Sequence, residues 1–365
     1  MSTTTLRRTP IYESHKRLGA KLVDFHGWEL PVQYEGILKE HQAVRQRCGL
    51  FDVSHMGQVF VEGKDSLAFL QKVNTNDIGR LVPGKAVYSH LPNGRGGVVD
   101  DVIVSCLGPG RYLVVVNAAT ADKDFAWFQS QAKGMDVRLA NESDRYGMIA
   151  VQGPKALGLV AADYPAVGGM KRFCALELEV FGRKSFITTT GYTGEDGCEF
   201  IVPSDIAGRV WDDLLAKGRS CGTAPCGLGC RDTLRLEAGY LLYGQDIDDE
   251  HDSIEAGYGW VVKFEKGDFI GRSGYLEHRD KGVTRRMTGV RLLDKGVPRP
   301  GSAVFTGEKK LGTLTSATFS PTLGVGIGMG YMEGAAVPPG TKLSVELYGR
   351  RLQAEAVALP FYKKK

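Results

Sequence analysis

Apolar side chains recur along this chain at two different spacings, and the change from one to the other marks out its elements. A 3.6-residue period predicts a helix over Glu35–Arg47, with Ile37, Leu38, Ala43 and Val44 on one stripe and Gly49 beyond its end. A second helix should carry Leu67, Leu70 and Val73 behind Asp65. A third should carry Phe125, Trp127 and Phe128 behind Asn117 or Thr120, short polar residues suited to accept from the first free N–H groups. The clearest pattern places Ile206, Val210, Trp211, Leu214 and Leu215 on one face, with Ser204 as the predicted cap and Gly218 as the stop. Between these lie β-branched runs. Val98–Cys106 and Arg111–Val116 flank Leu107-Gly108-Pro109-Gly110 and read as a hairpin. Met148–Val151, Leu176–Phe181, Ser185–Thr190 and Glu199–Val202 are further predicted strands. From Met287 to Tyr362 only short strands and turns remain, which predicts a separate all-β C-terminal domain, a barrel or a sandwich.

Gly324-Val325-Gly326-Ile327-Gly328-Met329-Gly330 resembles a phosphate loop only superficially. Its glycines fall on alternate residues and no capped helix follows. The pattern fits one face of a strand against which another backbone packs closely. No other glycine motif opens a helix in the Rossmann or P-loop manner, so both classes are excluded.

A chain of 365 residues suggests two or three domains, and 42% hydrophobic residues suffice for packed cores. The net charge is +4, and basic residues gather only in short groups such as Arg7-Arg8, Arg285-Arg286 and Lys363 to Lys365. That is no basic stripe, so nucleic acid is not an expected partner; an anionic small molecule or an acidic protein suits the charge better. The seven cysteines are odd in number and form no CxxC pair, which points to small buried residues rather than disulfides or a metal site. No apolar run approaches the roughly 20 residues that span a bilayer, and Met1–Pro10 has no apolar signal core. The expectation is a cytoplasmic protein without membrane contact.

Few groups carry an obvious chemistry. Asp100 and Asp101 lie inside a β-branched run, where successive side chains point to opposite faces, so they cannot act as a shared acid/base pair. One of the two carboxylates must be partly desolvated if either face is core or cavity, and such groups gather at functional sites. Asp24-Phe25-His26 and Asp52-Val53-Ser54-His55 each bring an Asp and a His close in sequence. Adjacency does not build a triad, no GxSxG is present, and the seven histidines make no HExxH or HxH pair. Most of them read as surface or structural residues. Gly191-Tyr192-Thr193-Gly194-Glu195-Asp196-Gly197-Cys198-Glu199 is either a plain turn or a loop whose aromatic and carboxylate read a flat, hydrogen-bonding ligand such as a pterin. Arg231 and Arg235 stand four apart on a Gly-led helix, able to hold an anionic tail or to pair with Asp232 or Glu237.

Taken in order, several segments resemble the aminomethyltransferase family, the T-proteins of glycine cleavage. They are Asp24 to Pro31, Phe51 to Met56, Gly96-Gly97-Val98-Val99-Asp100-Asp101, Val116-Asn117-Ala118, Val151-Gln152-Gly153-Pro154, Thr190 to Glu195, Gly227 to Glu237, Leu242 to Asp246 and Phe319 to Gly324. The resemblance implies an α+β fold of three domains in a cloverleaf around a central folate cavity. Residues 1–55 with 140–280 would form a discontinuous folate-binding domain, 56–139 a second α+β domain, and 281–365 a barrel or jelly-roll-like β domain. It implies transfer of an aminomethyl carbon from the lipoyl arm of the H-protein to tetrahydrofolate as co-substrate, with no metal, flavin or nucleotide. By position, Asp101 matches the essential carboxylate, and Met56, Tyr88, Asn117, Tyr192, Glu199, Arg231 and Tyr240 match positions around the folate.

Two relatives of the same family offer alternatives: a folate-dependent demethylase of a small methylated compound, and a folate-binding iron–sulfur assembly factor. The latter proteins carry a Lys-Gly-Cys-Tyr-x-Gly-Gln segment, where this chain reads Gly239-Tyr240-Leu241-Leu242-Tyr243-Gly244-Gln245 without a cysteine.

Overall fold

The computed structural model describes residues 5–334 and 337–364. The chain divides into two compact units. The first takes in the chain to Leu70, Ile78–Tyr88 and Val102–Asp232; the second takes in Gln71–Asp77, Ser89–Asp101 and the chain from Thr233 onward.

The first unit is built on a six-stranded sheet in the order Ala175–Val180, Arg183–Thr188, Gly197–Pro203, Tyr146–Gln152, Cys48–Asp52 and Thr223–Pro225. All neighbours are antiparallel except the last pair. The helix Ser204–Gly218 lays Val210, Trp211 and Leu214 into the core formed by Ile149, Val151, Phe200 and Val202. Each such buried side chain contributes on the order of 2–3 kcal/mol. A five-stranded sheet follows the order Lys85–Pro92, Val98–Gly108, Arg111–Val116, Gly57–Glu62 and Arg138–Asn141. Its central hairpin turns at Pro109-Gly110, with Gly110 in the left-handed region.

The predicted helices form, but their ends differ in detail. Ile37–Gln46 and Ser66–Val73 form where the spacing predicts, but only part of each stripe is covered: Ala43, Val44, Leu70 and Val73 are buried, whereas Ile37, Leu38 and Leu67 are exposed. Ala121–Gln131 begins after Thr120, whose hydroxyl donates back to the Asn117 carbonyl instead of accepting from the helix. Ser204 is the first helical residue rather than the cap. The α-helix does end at Gly218, but the chain runs on through a 3₁₀ turn, Arg219–Cys221, to Gly222, which takes the left-handed conformation. Arg272–Lys281 is a helix that apolar periodicity could not reveal, since only Tyr275 in it is buried.

The second unit contains the closed barrel predicted for the C-terminal part. Its six antiparallel strands run Arg285–Leu292, Val325–Glu333, Lys309–Ser320, Ala303–Thr306, Lys342–Leu347 and Arg350–Val357, and the last pairs with the first. Val290, Leu292, Val304, Leu314, Met332, Leu343 and Val345 fill it. Of the alternating glycines, Gly326, Gly328 and Gly330 lie on the strand Val325–Glu333, as the pattern predicts, while Gly324 sits in the turn before it with a positive φ. A Cβ on Gly330 would stand 2.1 Å from the Thr313 carbonyl oxygen and 2.6 Å from Leu314 Cα. Opposite it, the neighbouring strand bulges between Leu314 and Ser316. Gly330→Ala should therefore force the strands apart and cost about 1–3 kcal/mol, read as a lower midpoint in denaturant unfolding; an unchanged midpoint would refute the close packing.

All seven cysteines are free thiols, and all but Cys221 are buried. Among the described residues no helix is long and apolar enough to cross a membrane.

Candidate active site

In the first unit, three of the residues singled out from sequence come together. The Arg231 guanidinium lies over the Tyr192 ring, 5.1 Å from its centroid. Its charge also stabilises the Glu199 carboxylate. Glu199 stands on the strand Gly197–Pro203 and accepts a hydrogen bond from the Thr190 hydroxyl, which is itself in contact with the Thr188 hydroxyl at 2.7 Å. Burial pushes the Glu199 carboxyl above the usual range, against the opposing pull of Thr190 and Arg231. An aromatic face, a cation and a desolvated carboxylate thus form one surface for a flat ligand with N–H donors on its edge.

His55 joins this group, although its sequence gives no hint of that. It is buried, and its Nε2 accepts from Arg231 Nη1 at 3.5 Å. Because the guanidinium can only donate, the proton of this imidazole sits on Nδ1. Burial, then the Arg231 charge, pushes the His55 pKa down to about 3, so the ring is neutral. Its nearby aspartate does not pair with it: the Asp52 carboxylate contacts His15 Nε2 at 2.8 Å and accepts from the Thr9 hydroxyl at 2.6 Å and the Ser54 N–H at 2.9 Å. The segment after Asp52 is a turn, closed by Met56 N–H donating to the Val53 carbonyl. Asp24 caps a turn at Gly27, and His26 is exposed.

Met56, Tyr88 and Asn117 are half-buried residues of the same unit. The Met56 carbonyl is fixed by Gln58 Nε2 at 2.7 Å, Tyr88 lies on the strand Lys85–Pro92, and Asn117 follows the strand Arg111–Val116. Asp101 and Tyr240 belong to the second unit and are half-buried too. Asp101 stands on the strand Val98–Gly108 beside Asp100, which is completely buried, so the two carboxylates do separate to opposite faces.

The two helix arginines do not act as one clamp. Arg235 is buried and spent on Asp246, at 2.8 Å, on the Ser316 hydroxyl, at 2.9 Å, and on the Tyr240 carbonyl, at 3.1 Å. Its close ion-pair partner is therefore Asp246. Glu237 instead accepts from Ser320, Thr322 N–H and the Thr322 hydroxyl.

These features define an α+β protein with a closed C-terminal barrel and an aromatic–cation–carboxylate surface in its N-terminal part. Residues 11–266 match the family described as the GCVT N-terminal domain, and residues 285–363 match the glycine cleavage T-protein C-terminal barrel domain. The chain is 45% identical to an aminomethyltransferase of Bacillus subtilis over 362 residues, covering 98% of this chain and 100% of the relative. It is 43% identical to an aminomethyltransferase of Halothermothrix orenii over 357 residues, covering 98% and 100%. The crystal structure of the glycine cleavage system aminomethyltransferase T from Bartonella henselae superposes with a TM-score of 0.92 at 35% identity, with 98% of each chain covered. The chain belongs to the glycine cleavage T-protein family of aminomethyltransferases.

Proposed function

We propose that this protein transfers the carbon of an aminomethyl group, carried on the lipoyl arm of the H-protein, to tetrahydrofolate. Ammonia leaves, and 5,10-methylenetetrahydrofolate and reduced lipoyl are formed. The observation that carries the reading is the convergence of Tyr192, Glu199 and Arg231, from two distant segments, into one half-buried group. Their chemistry fits a reduced pterin. The Glu199 carboxylate accepts from the donor edge, and Arg231 and Tyr192 supply a cation and a ring face. Met56, Tyr88, Asn117 and Tyr240 complete the folate contacts in this reading. Asp101 accepts a hydrogen from a folate nitrogen, orients it and stabilises positive charge on the aminomethyl carbon. Holding carbon and nitrogen in attack geometry supplies much of the remaining rate.

The partner is the lipoylated H-protein and the compartment the cytoplasm. The three-part division at 1–55 with 140–280, 56–139 and 281–365 also belongs to the reading. It is supported by the six-stranded sheet, whose strands all fall in the first part, and by the barrel, which falls in the third. The test is formation of methylenetetrahydrofolate from aminomethylated H-protein, with a sulfonium methyl donor assayed beside it. Turnover of the sulfonium compound alone would make the protein a demethylase, and turnover of neither would overturn the reading.

Glu199→Gln separates binding from stability. The folded-state pKa of Glu199 lies above its unfolded value, so its ionisation opposes folding. That cost is absent below the unfolded pKa and fully present above the folded one. The Gln variant should therefore gain Tm relative to the parent at pH 8 and less so at pH 4, while losing tetrahydrofolate affinity about tenfold or more. Equal folate affinity in the two proteins would remove Glu199 from the site.

A further inference from the structure

One buried amide organises the ligand-reading surface through the loop that carries Tyr192. Gln152 is 1% exposed at the end of the strand Tyr146–Gln152. Its Oε1 accepts from the Thr193 hydroxyl at 2.8 Å, and its Nε2 donates to the Thr190 carbonyl at 3.1 Å. Those two anchor points bracket Tyr192. The same Thr190 gives its hydroxyl to Glu199. The loop wraps so tightly that both of its end glycines lie against the amide. A Cβ on Gly191 would stand 2.1 Å from Gln152 Oε1, and one on Gly197 would stand 2.5 Å from Nε2. Neither glycine has a positive φ, so here the missing side chain serves close approach rather than backbone freedom.

The outer side of the loop is held independently. The Arg45 guanidinium donates to the Thr193 carbonyl at 2.7 Å and to Glu195 at 2.9 Å, and both of these side chains are almost fully buried. The Glu195 N–H in turn donates to the Thr193 hydroxyl at 3.2 Å, so that single hydroxyl links the inner and outer restraints.

We propose that Gln152 is the positioning residue for pterin recognition: through Thr190 and Thr193 it fixes the Tyr192 ring and the Glu199 carboxylate relative to each other. The proposal rests on the function inferred above. An amide suits the task because it offers a donor and an acceptor on one rigid plane; a carboxylate at this place would face the Thr190 carbonyl with no hydrogen to give. Being buried, the amide exchanges neither bond for water, so the loop keeps one conformation before the ligand arrives and less ordering is needed on binding.

The test uses full-length Gln152→Ala together with Thr193→Val and Thr193→Ser, in steady-state assays with tetrahydrofolate and aminomethylated H-protein. Thr193→Val removes one hydroxyl from a buried loop with little change of volume, so it reports even where Gln152→Ala fails to fold. The KM for tetrahydrofolate should rise about tenfold in Thr193→Val, as expected for one buried hydrogen bond, and more in Gln152→Ala. The KM for H-protein and kcat at saturating folate should stay within about twofold, and Thr193→Ser should restore the parent KM. A purely structural role would lower thermal stability and the amount of active enzyme in all three assays without splitting the two KM values. If Thr193→Val and Gln152→Ala keep the parent KM for tetrahydrofolate, the positioning role is wrong. If the parent protein itself neither binds nor uses tetrahydrofolate, the underlying reading fails instead.

Discussion

Asp101→Asn should abolish nearly all aminomethyl transfer while leaving the fold and folate affinity in place. The side chain is half-buried on a strand between Asp100 and Val102, both buried, so its placement is set by backbone that Asn does not disturb. Asn keeps the shape but loses the negative charge and one acceptor. In the reading proposed above, that charge orients a folate N–H and stabilises the developing cation. A positioned proton acceptor of this kind contributes roughly 10²–10⁴-fold. The measured quantity is methylenetetrahydrofolate formed per minute from aminomethylated H-protein at saturating folate, with folate binding followed separately. Parent-level turnover in the Asn variant would remove Asp101 from the chemistry. A parallel loss of folate binding would make it a binding residue instead.

The largest stability effect is expected from Asp246→Ala in the second unit. The Asp246 carboxylate is completely buried and accepts from Arg235, the Leu242 N–H, the Thr315 hydroxyl and the Ser316 hydroxyl. The bulge between Leu314 and Ser316 turns two successive hydroxyls toward this one carboxylate. Removing it strands a guanidinium that is only 2% exposed. Breaking a buried pair by removing one partner typically costs about 3–5 kcal/mol, and the Tm should fall by roughly 10 °C. Replacing both members, as in Arg235→Met with Asp246→Leu, should cost less than the single change, because no unpaired charge remains. A Tm for Asp246→Ala within two or three degrees of the parent would contradict the pairing.

Much of this was legible along the chain because it depends on short-range periodicity. Strand alternation separated Asp100 from Asp101, and the structure buries the first and leaves the second half-exposed. Alternate glycines predicted a close backbone neighbour, found at Thr313 and Leu314. The absence of helix patterns from Met287 to Tyr362 predicted the all-β character of that part. Caps were less legible. Thr120 and Ser204 have the right chemistry, but a hydroxyl chooses among nearby backbone partners, and Thr120 took a carbonyl.

Partners distant in sequence could not be read at all. His55 meets Arg231 across 176 positions, Gln152 meets Thr193 across 41, and Glu40 meets Gly227 across 187. Arg235 had two carboxylates close by in sequence, yet bonds Asp246, eleven residues on, in the loop after its helix. A salt-bridge partner is decided by which groups lose water together, and sequence distance says little about that.

By itself, then, the sequence determined where most strands and helices form, because backbone geometry repeats every two or 3.6 residues. Separately, its ordered motifs showed which family it resembles. Tertiary structure alone decided which polar groups are desolvated and with whom they are paired. That choice gave His55 its neutral imidazole, spent Arg235 on Asp246 and left Arg231 to Tyr192 and Glu199. The physical reason is that a buried polar group must be satisfied by whatever the packed chain brings within about 3 Å, and only the folded chain specifies those neighbours.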